Sequence, residues 1–139
     1  MVSVCFYFQV HQPRRLRNFN VFDIGKNANY YDHNKNKAVL QKVANKCYLP
    51  ANKIILNLIK ENPEFKVSYS LSGVALEQFE EYYPDVIRSF QELVDTRNVE
   101  ILSETYYHSL SFLFSKSEFK DQIDLHRRKI KSLFNYTPK

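Results

Sequence analysis

Residues 2–10 read VSVCFYFQV, and the tripeptide HQP at residues 11–13 ends this run. The run is almost continuously apolar and is rich in β-branched and aromatic side chains. This pattern favours a β-strand buried on both faces, as in a parallel sheet. Proline has no N–H to donate to a neighbouring strand, so Pro13 turns the chain away from the sheet. We therefore expect a first strand that delivers His11 and Gln12 to one edge of a sheet.

The rest of the chain alternates helical and strand patterns. Two further strands are predicted, over residues 65–71 and 99–103. Two helices are predicted over residues 37–48 and 74–82, and three more begin at Pro50, at Pro84 and after a capping pair formed by Ser115 and Glu118. The sequence at 49–50 is expected to break the first helix, and residues 14–36 are predicted to form a long loop. This alternation indicates an α/β fold with a parallel sheet, built as a barrel or as an open doubly wound sheet.

Three strands are too few to close a barrel. They are also too few to complete an open sheet, so we expect residues 1–139 to form the N-terminal part of a larger α/β domain that is incomplete at its C-terminus. The last helix is expected to bury Phe119, Ile123, Ile130, Leu133 and Phe134, with residues 126–131 mostly on its outer face.

Composition narrows the classes of partner. The net charge is +5, but the basic residues are scattered, so solvated surfaces are favoured over a nucleic-acid site. The first apolar run is too short for a membrane span or a signal peptide, so no membrane partner is expected. Cys5 and Cys47 are expected to be free, buried thiols, which fits a reducing, cytoplasmic location.

Polar side chains follow each predicted strand. The candidates are Gln9, His11 and Gln12 after the first strand, Ser70, Ser72 and Gly73 after the second, and Glu100, Glu104, Tyr106, Tyr107 and His108 on and after the third. In a parallel sheet these ends meet at one edge, and such groups suit a polyhydroxylated ligand. Two less specific interpretations remain open. The first is that His11 is an ordinary hydrogen-bonded residue at the end of a strand. The second is that Glu100 is solvated on an edge strand rather than paired with His11 inside a barrel.

The sequence gives little indication of a metal site or of a pair of reacting carboxylates. The residues His11, Asp32, His33 and His108 lack a dense metal-ligand spacing, so neither a metal nor another cofactor is expected. Glu100 and Glu104 are about 13 Å apart along a strand, whereas a retaining glycosidase needs carboxyl groups about 5–5.5 Å apart. Glu100 and Glu104 are therefore too far apart to be the two reacting carboxylates of such an enzyme.

Several segments resemble the α-amylase-type branch of glycoside hydrolase family 57. They are FYFQVHQPRRLRNF with its HQP signature, FDIG, NYYD and NVEILSETYYHSL at residues 98–110. The resemblance runs along nearly the whole chain. It implies an incomplete seven-stranded (β/α) barrel, also called a pseudo-TIM barrel, that acts on α-glucans by a retaining mechanism.

The resemblance also implies roles for particular residues. His11 would lie near the sugar, with Gln12 on the same rim, and Glu100 would contact or orient His11. Tyr107 and His108 would complete this substrate-binding set. The nucleophilic glutamate and the acidic aspartate of the family belong to later signatures, which this sequence does not contain. The expected partners are an α-glucan and the missing part of the barrel, or a second copy pairing with the open edge of the third strand.

Two alternatives are kept. The chain could be a non-catalytic module that binds glucan or another protein. It could also resemble a metal-dependent polysaccharide deacetylase, which would bind metal through His11 and His108.

Overall fold

A three-stranded parallel sheet forms the centre of the computed structural model, which describes residues 2–26 and 29–138. Its strands are β1 (Phe6–Val10), β2 (Val67–Leu71) and β3 (Val99–Ile101), in the spatial order β1-β2-β3. Both pairings are parallel, so the predicted α/β fold is confirmed. Each strand begins later or ends earlier than its apolar pattern suggests.

Five α-helices connect and cover the strands: α1 (His33–Val43), α2 (Leu49–Glu61), α3 (Gly73–Tyr82), α4 (Pro84–Asp95) and α5 (Lys116–Phe134). The predicted loop over residues 14–36 is shorter, because α1 begins at His33. Elsewhere it contains a 3-10 turn at Val21–Asp23 and a bridge between Leu16 and Tyr31. Its positions 27 and 28 lie outside the described residues. In the described part of the chain, no helix has both the length and the apolar character to cross a bilayer.

The two faces of the sheet differ in chemistry because side chains alternate along each strand. One face is apolar and packs against the helices; its buried members are Val10, Val67, Tyr69, Leu71, Val99 and Ile101. The register places Tyr7 beside Ser68, Gln9 beside Ser70, and Glu100 beside Ser68 on the opposite face. That second face is polar, and it leads directly to the carboxyl ends of the strands.

The prediction that β1 is buried on both faces is wrong. Phe6, Tyr7 and Phe8 expose 46%, 51% and 38% of their surface. Within the described residues β1 pairs only with β2, so it is an edge strand with one open side. The apolar pattern predicted the strand correctly, but it could not show which neighbours cover it.

The predicted helix break at Leu49-Pro50 is also wrong. A π-helical turn, Ala44–Tyr48, joins α1 to α2 without interruption. In this turn the N–H of Leu49 reaches back to the carbonyl of Ala44, which widens the helix just before Pro50. Proline has no N–H and crowds the preceding turn, so this wider turn accommodates it. The same turn buries Tyr48.

Three further burial predictions need correction. Cys5 and Cys47 are free but exposed, because Cys5 precedes the edge strand and Cys47 lies in the π-helical turn. His126 was expected on the outer face of α5 but is fully buried. Its Nε2 bonds the carbonyl oxygen of Leu71 at 2.8 Å. Since β3 ends at Ile101, His126 satisfies a β2 carbonyl that lies beyond the end of β3.

The helix start predicted at Ser115 and Glu118 is confirmed, and α3 also begins with a side-chain cap. The Ser115 hydroxyl accepts the backbone N–H of Glu118 at 3.2 Å, so α5 begins where its capping pair predicts. Ser72 caps α3 directly after β2. The polar rim of the sheet and the start of α3 therefore share one residue.

Candidate active site

A chain of hydrogen bonds crosses the carboxyl ends of all three strands. The side-chain amide nitrogen of Gln9 lies 3.0 Å from Nε2 of His108, and Nδ1 of His108 lies 3.0 Å from Glu104 Oε2. The other oxygen of Glu104 accepts the hydroxyl of Ser70 at 2.6 Å. Both bonds of His108 can form when its ring carries the proton on Nδ1, because Nδ1 then donates to Glu104 and Nε2 accepts from Gln9. The prediction that these strand ends converge at one edge is confirmed.

His11 joins this group from β1. Its ring stacks on that of His108, with centroids 4.5 Å apart, and its Nδ1 lies 2.7 Å from the Ser72 hydroxyl. Ser72 is fully buried and its oxygen already accepts the backbone N–H of Ala75 at 3.4 Å. The buried hydroxyl proton needs an acceptor, and Nδ1 of His11 provides one. This arrangement leaves His11 with a proton on Nε2, which can donate to a ligand.

The environment favours the neutral form of His11. Partial burial lowers the pKa of its imidazole, and the neighbouring His108 lowers that pKa further, while the Glu104 carboxylate opposes both. A neutral imidazole with a fixed tautomer has one donor and one acceptor. His11 can therefore donate a hydrogen bond to a sugar hydroxyl without placing a charge at the site.

The backbone of His108 is in the left-handed region, with φ of 54°. This conformation is uncommon for a residue with a Cβ, and it costs about 1–3 kcal/mol. A tight turn maintains it: the N–H of His108 bonds the carbonyl of Thr105, and the N–H of Ser109 bonds the Thr105 hydroxyl at 2.9 Å. Strained residues of this kind concentrate at functional sites, which supports a functional role for His108.

Tyr106 and Tyr107 have different roles. Tyr106 is buried, and its ring packs directly on Gly73, where an added Cβ would lie 2.3 Å from Tyr106 Cδ2. Its hydroxyl donates to Glu77 at 2.7 Å, and burial raises its pKa. Tyr107 is 53% exposed and makes an edge contact with the Tyr106 ring. Tyr106 is therefore structural, and Tyr107 presents its ring to the solvent at the rim.

Gln12 follows His11 but turns toward the helices. Its side-chain amide nitrogen donates to the Tyr48 hydroxyl at 3.1 Å, and its backbone carbonyl oxygen accepts the side-chain amide of Gln78 at 2.6 Å. Gln12 thus anchors the chain just after His11. Its side chain lies outside the hydrogen-bond chain of Gln9, His108 and Glu104.

Glu100 does not meet His11 in this structure. It is paired in register with Ser68, whereas His11 bonds Ser72, about 13 Å farther along the same strand direction. The carboxylate that lies beside the two histidines is Glu104. Sequence reasoning listed Glu104, Gln9, Ser70 and Ser72 at the rim but did not select them, because their contacts depend on the register of the strands.

Among residues 2–26 and 29–138, no group of three His, Cys, Asp or Glu side chains is positioned to hold a metal ion. The cluster that is present combines two imidazoles, one carboxylate, one amide and two hydroxyls. These groups offer hydrogen-bond donors and acceptors suited to a neutral polar ligand.

Comparison with known proteins gives consistent results. The sequence model of Glycosyl hydrolase family 57 matches residues 5–139. A Methanocaldococcus jannaschii protein named "Putative alpha-amylase" is 45% identical over 142 residues, which cover 98% of this chain and 29% of that protein. An alpha-amylase of Pyrococcus abyssi is 27% identical over 125 residues, which cover 90% of this chain and 16% of the relative. The chain therefore spans less than a third of the length of these relatives.

A solved structure shows the same relationship. The fold matches the crystal structure of the 4-alpha-glucanotransferase from Thermococcus litoralis with a TM-score of 0.68 and 25% sequence identity, over 97% of this chain and 18% of that protein. The three strands and their helices thus correspond to part of the (β/α)7 barrel of that family. These matches favour neither the deacetylase nor the binding-module alternative. Because the family model extends over almost the entire sequence, this chain belongs to glycosyl hydrolase family 57.

Proposed function

We propose that residues 1–139 are the N-terminal part of the catalytic barrel of a retaining, α-glucan-acting enzyme of the α-amylase or 4-α-glucanotransferase type. The family match and the names of the relatives support this proposal. The observation that carries it is the cluster of Gln9, His11, Glu104 and His108 at the carboxyl ends of parallel strands. Barrel enzymes bind their substrates at this end of the sheet.

Within this proposal, His11 and His108 contact the glucan directly. His11 donates from Nε2 to a sugar hydroxyl, and the exposed ring of Tyr107 covers an apolar sugar face. Gln12 holds the backbone beyond His11 through its bond to Tyr48. Glu100 lies deeper on the same polar face, beside Ser68, and is assigned no direct contact with the glucan.

Glu104 is proposed as a positioning residue. One of its oxygens accepts the Ser70 hydroxyl and the other faces His108 Nδ1, so both are already engaged. A retaining mechanism needs a nucleophile and an acid about 5–5.5 Å apart. We propose that both reacting carboxylates come from a later part of the barrel, which would also cover the open edges of β1 and β3. If that part is missing, these edges favour self-association.

An activity assay with two components tests the proposal. The chain is incubated with maltoheptaose, alone and together with a separately produced remainder of the enzyme. We expect no turnover by the chain alone and restored turnover in the mixture. Cellohexaose, which has β-linkages, serves as the control substrate and should not react. Turnover of maltoheptaose by the chain alone, at the rate of the mixture, would contradict the proposal.

A further inference from the structure

A pocket of about 250 Å³ opens beside His11. Its walls include Pro13 and Arg14 from the segment after β1, Tyr31 before α1, Glu77 on α3 and Tyr107 after β3. It shares His11 with the cluster described above. A ligand bound at His11 can therefore continue into this pocket.

Two tyrosine rings, those of Tyr31 and Tyr107, contribute to its wall. Tyr31 is 41% exposed and Tyr107 is 53% exposed. The guanidinium of Arg14 lies over the Tyr31 ring, 5.3 Å from its centre, and Tyr107 is braced by Tyr106 at 5.1 Å. Both rings are thus held in place while they remain accessible. Rings with a hydroxyl at one end suit a ligand that has an apolar face and a polar edge.

The charges of the pocket select against anions. Arg14 bonds Glu81 at 3.0 Å and Glu77 at 3.4 Å, so one guanidinium faces two carboxylates. The neighbouring His11 is held toward its neutral form. A phosphate or an acidic peptide would therefore find the Arg14 cation already paired with carboxylates.

The same groups can bind a neutral polyol. Arg14 has five N–H donors, and its two ion pairs leave others available. Glu77 accepts bonds from Tyr106 and Arg14 on different oxygens, and each oxygen retains a free lone pair. Fixed donors, fixed acceptors and two aromatic faces together match one glucosyl ring.

We infer that this pocket is an additional glucosyl subsite, in which Tyr31 and Tyr107 contact one sugar ring while the adjoining ring contacts His11. This inference rests on the proposed α-glucan function and assigns Tyr31, Arg14 and Glu77 to substrate binding. It also gives a role to the loop before α1, which the hydrogen-bond cluster at the rim does not use.

A length series of maltooligosaccharides, from maltose to maltohexaose, tests the subsite by titration calorimetry with the chain. Wild-type affinity should rise by about tenfold at the length that first fills the pocket, a gain of about 1.4 kcal/mol. Tyr31→Ala should lose this step, whereas Tyr31→Phe, which keeps the ring, should retain it. Tyr30→Ala is the matched control, because Tyr30 is an exposed neighbouring tyrosine that packs on Phe19 outside the pocket.

The outcomes separate the two proposals. An unchanged length step in Tyr31→Ala, with binding still weakened by His11→Ala, would overturn the subsite and leave the α-glucan function intact. No binding of any maltooligosaccharide to the wild-type chain would overturn both. If Tyr31→Ala does not fold, Tyr107→Ala, which removes the other tyrosine ring of the pocket, decides: loss of the step supports the subsite, and retention of the step overturns it.

Discussion

The imidazole rings of His11 and His108 stack face to face, with centroids 4.5 Å apart and an angle of 26° between their planes. One ring comes from the end of β1 and the other from the left-handed turn after β3. Ser72 fixes the first ring and Glu104 the second. This contact brings the HQP signature and the signature at residues 98–110 together in one site, which lies where the polar face of the sheet ends.

Ser72→Ala should release the His11 ring. The Ser72 hydroxyl both caps α3 and bonds Nδ1 of His11, so its loss should cost about 1 kcal/mol of unfolding free energy and allow the other tautomer. The tautomer is read from the ¹⁵N shifts of the His11 ring. Ser115→Ala is the matched control, since it removes the cap of α5 far from His11. An unchanged His11 tautomer in Ser72→Ala would contradict the assigned role.

Substitutions on either side of the His11 ring should move its pKa in opposite directions. Burial lowers the pKa of His11 below 6.5, His108 lowers it further, and Glu104 raises it. His108→Asn, which tolerates the left-handed backbone, should therefore raise the pKa, and Glu104→Gln should lower it. The pKa is measured by NMR titration of the His11 ring. Shifts of the same sign in both variants would contradict the geometry.

Buried His126 should make stability depend on pH. Burial lowers its pKa below 6.5, although the Leu71 carbonyl and Glu104 oppose this shift. The unfolded chain then binds more protons than the folded chain as the pH falls below 6.5, so the free energy of unfolding should decrease there. Urea unfolding at pH values on both sides of 6.5 measures this slope. His126→Gln should flatten it, and an equal slope in the variant would argue against the assignment.

Gly73→Ala should disturb the rim through Tyr106. The added Cβ would lie 2.3 Å from the Tyr106 ring, so the ring must shift at a cost of about 1–3 kcal/mol. Tyr106→Ala removes the side-chain atoms beyond Cβ, including the Cγ and Cδ2 that obstruct the added Cβ, so a double-mutant cycle should show a much smaller cost of Gly73→Ala in the Tyr106→Ala background. Additive losses in the unfolding free energies would show that the two residues are independent.

The strands and most helices could be predicted from the sequence because hydrophobic periodicity reflects local structure. The parallel sheet followed from the alternation of β1, β2 and β3 with helices. The π-helical turn before Pro50 could not be predicted, since a proline pattern favours a break. The burial of His126 depends on the end of β3, which lies far from it in sequence.

The site could be predicted only in part. Parallel topology brings His11 and His108 to one edge, as expected. The choice of carboxylate depends on register: Glu104, rather than Glu100, reaches the histidines because β3 ends early and the chain turns at Thr105. The left-handed backbone of His108 has no glycine or asparagine to signal it in the sequence.

Titration of the chain with maltoheptaose, followed by NMR of the His11 and His108 rings, tests the central claim most directly. The account predicts saturable shifts of both ring signals, no release of reducing ends, and no shifts with cellohexaose. Ring signals that stay unchanged at saturating maltoheptaose, or hydrolysis of the sugar by the chain itself, would contradict it.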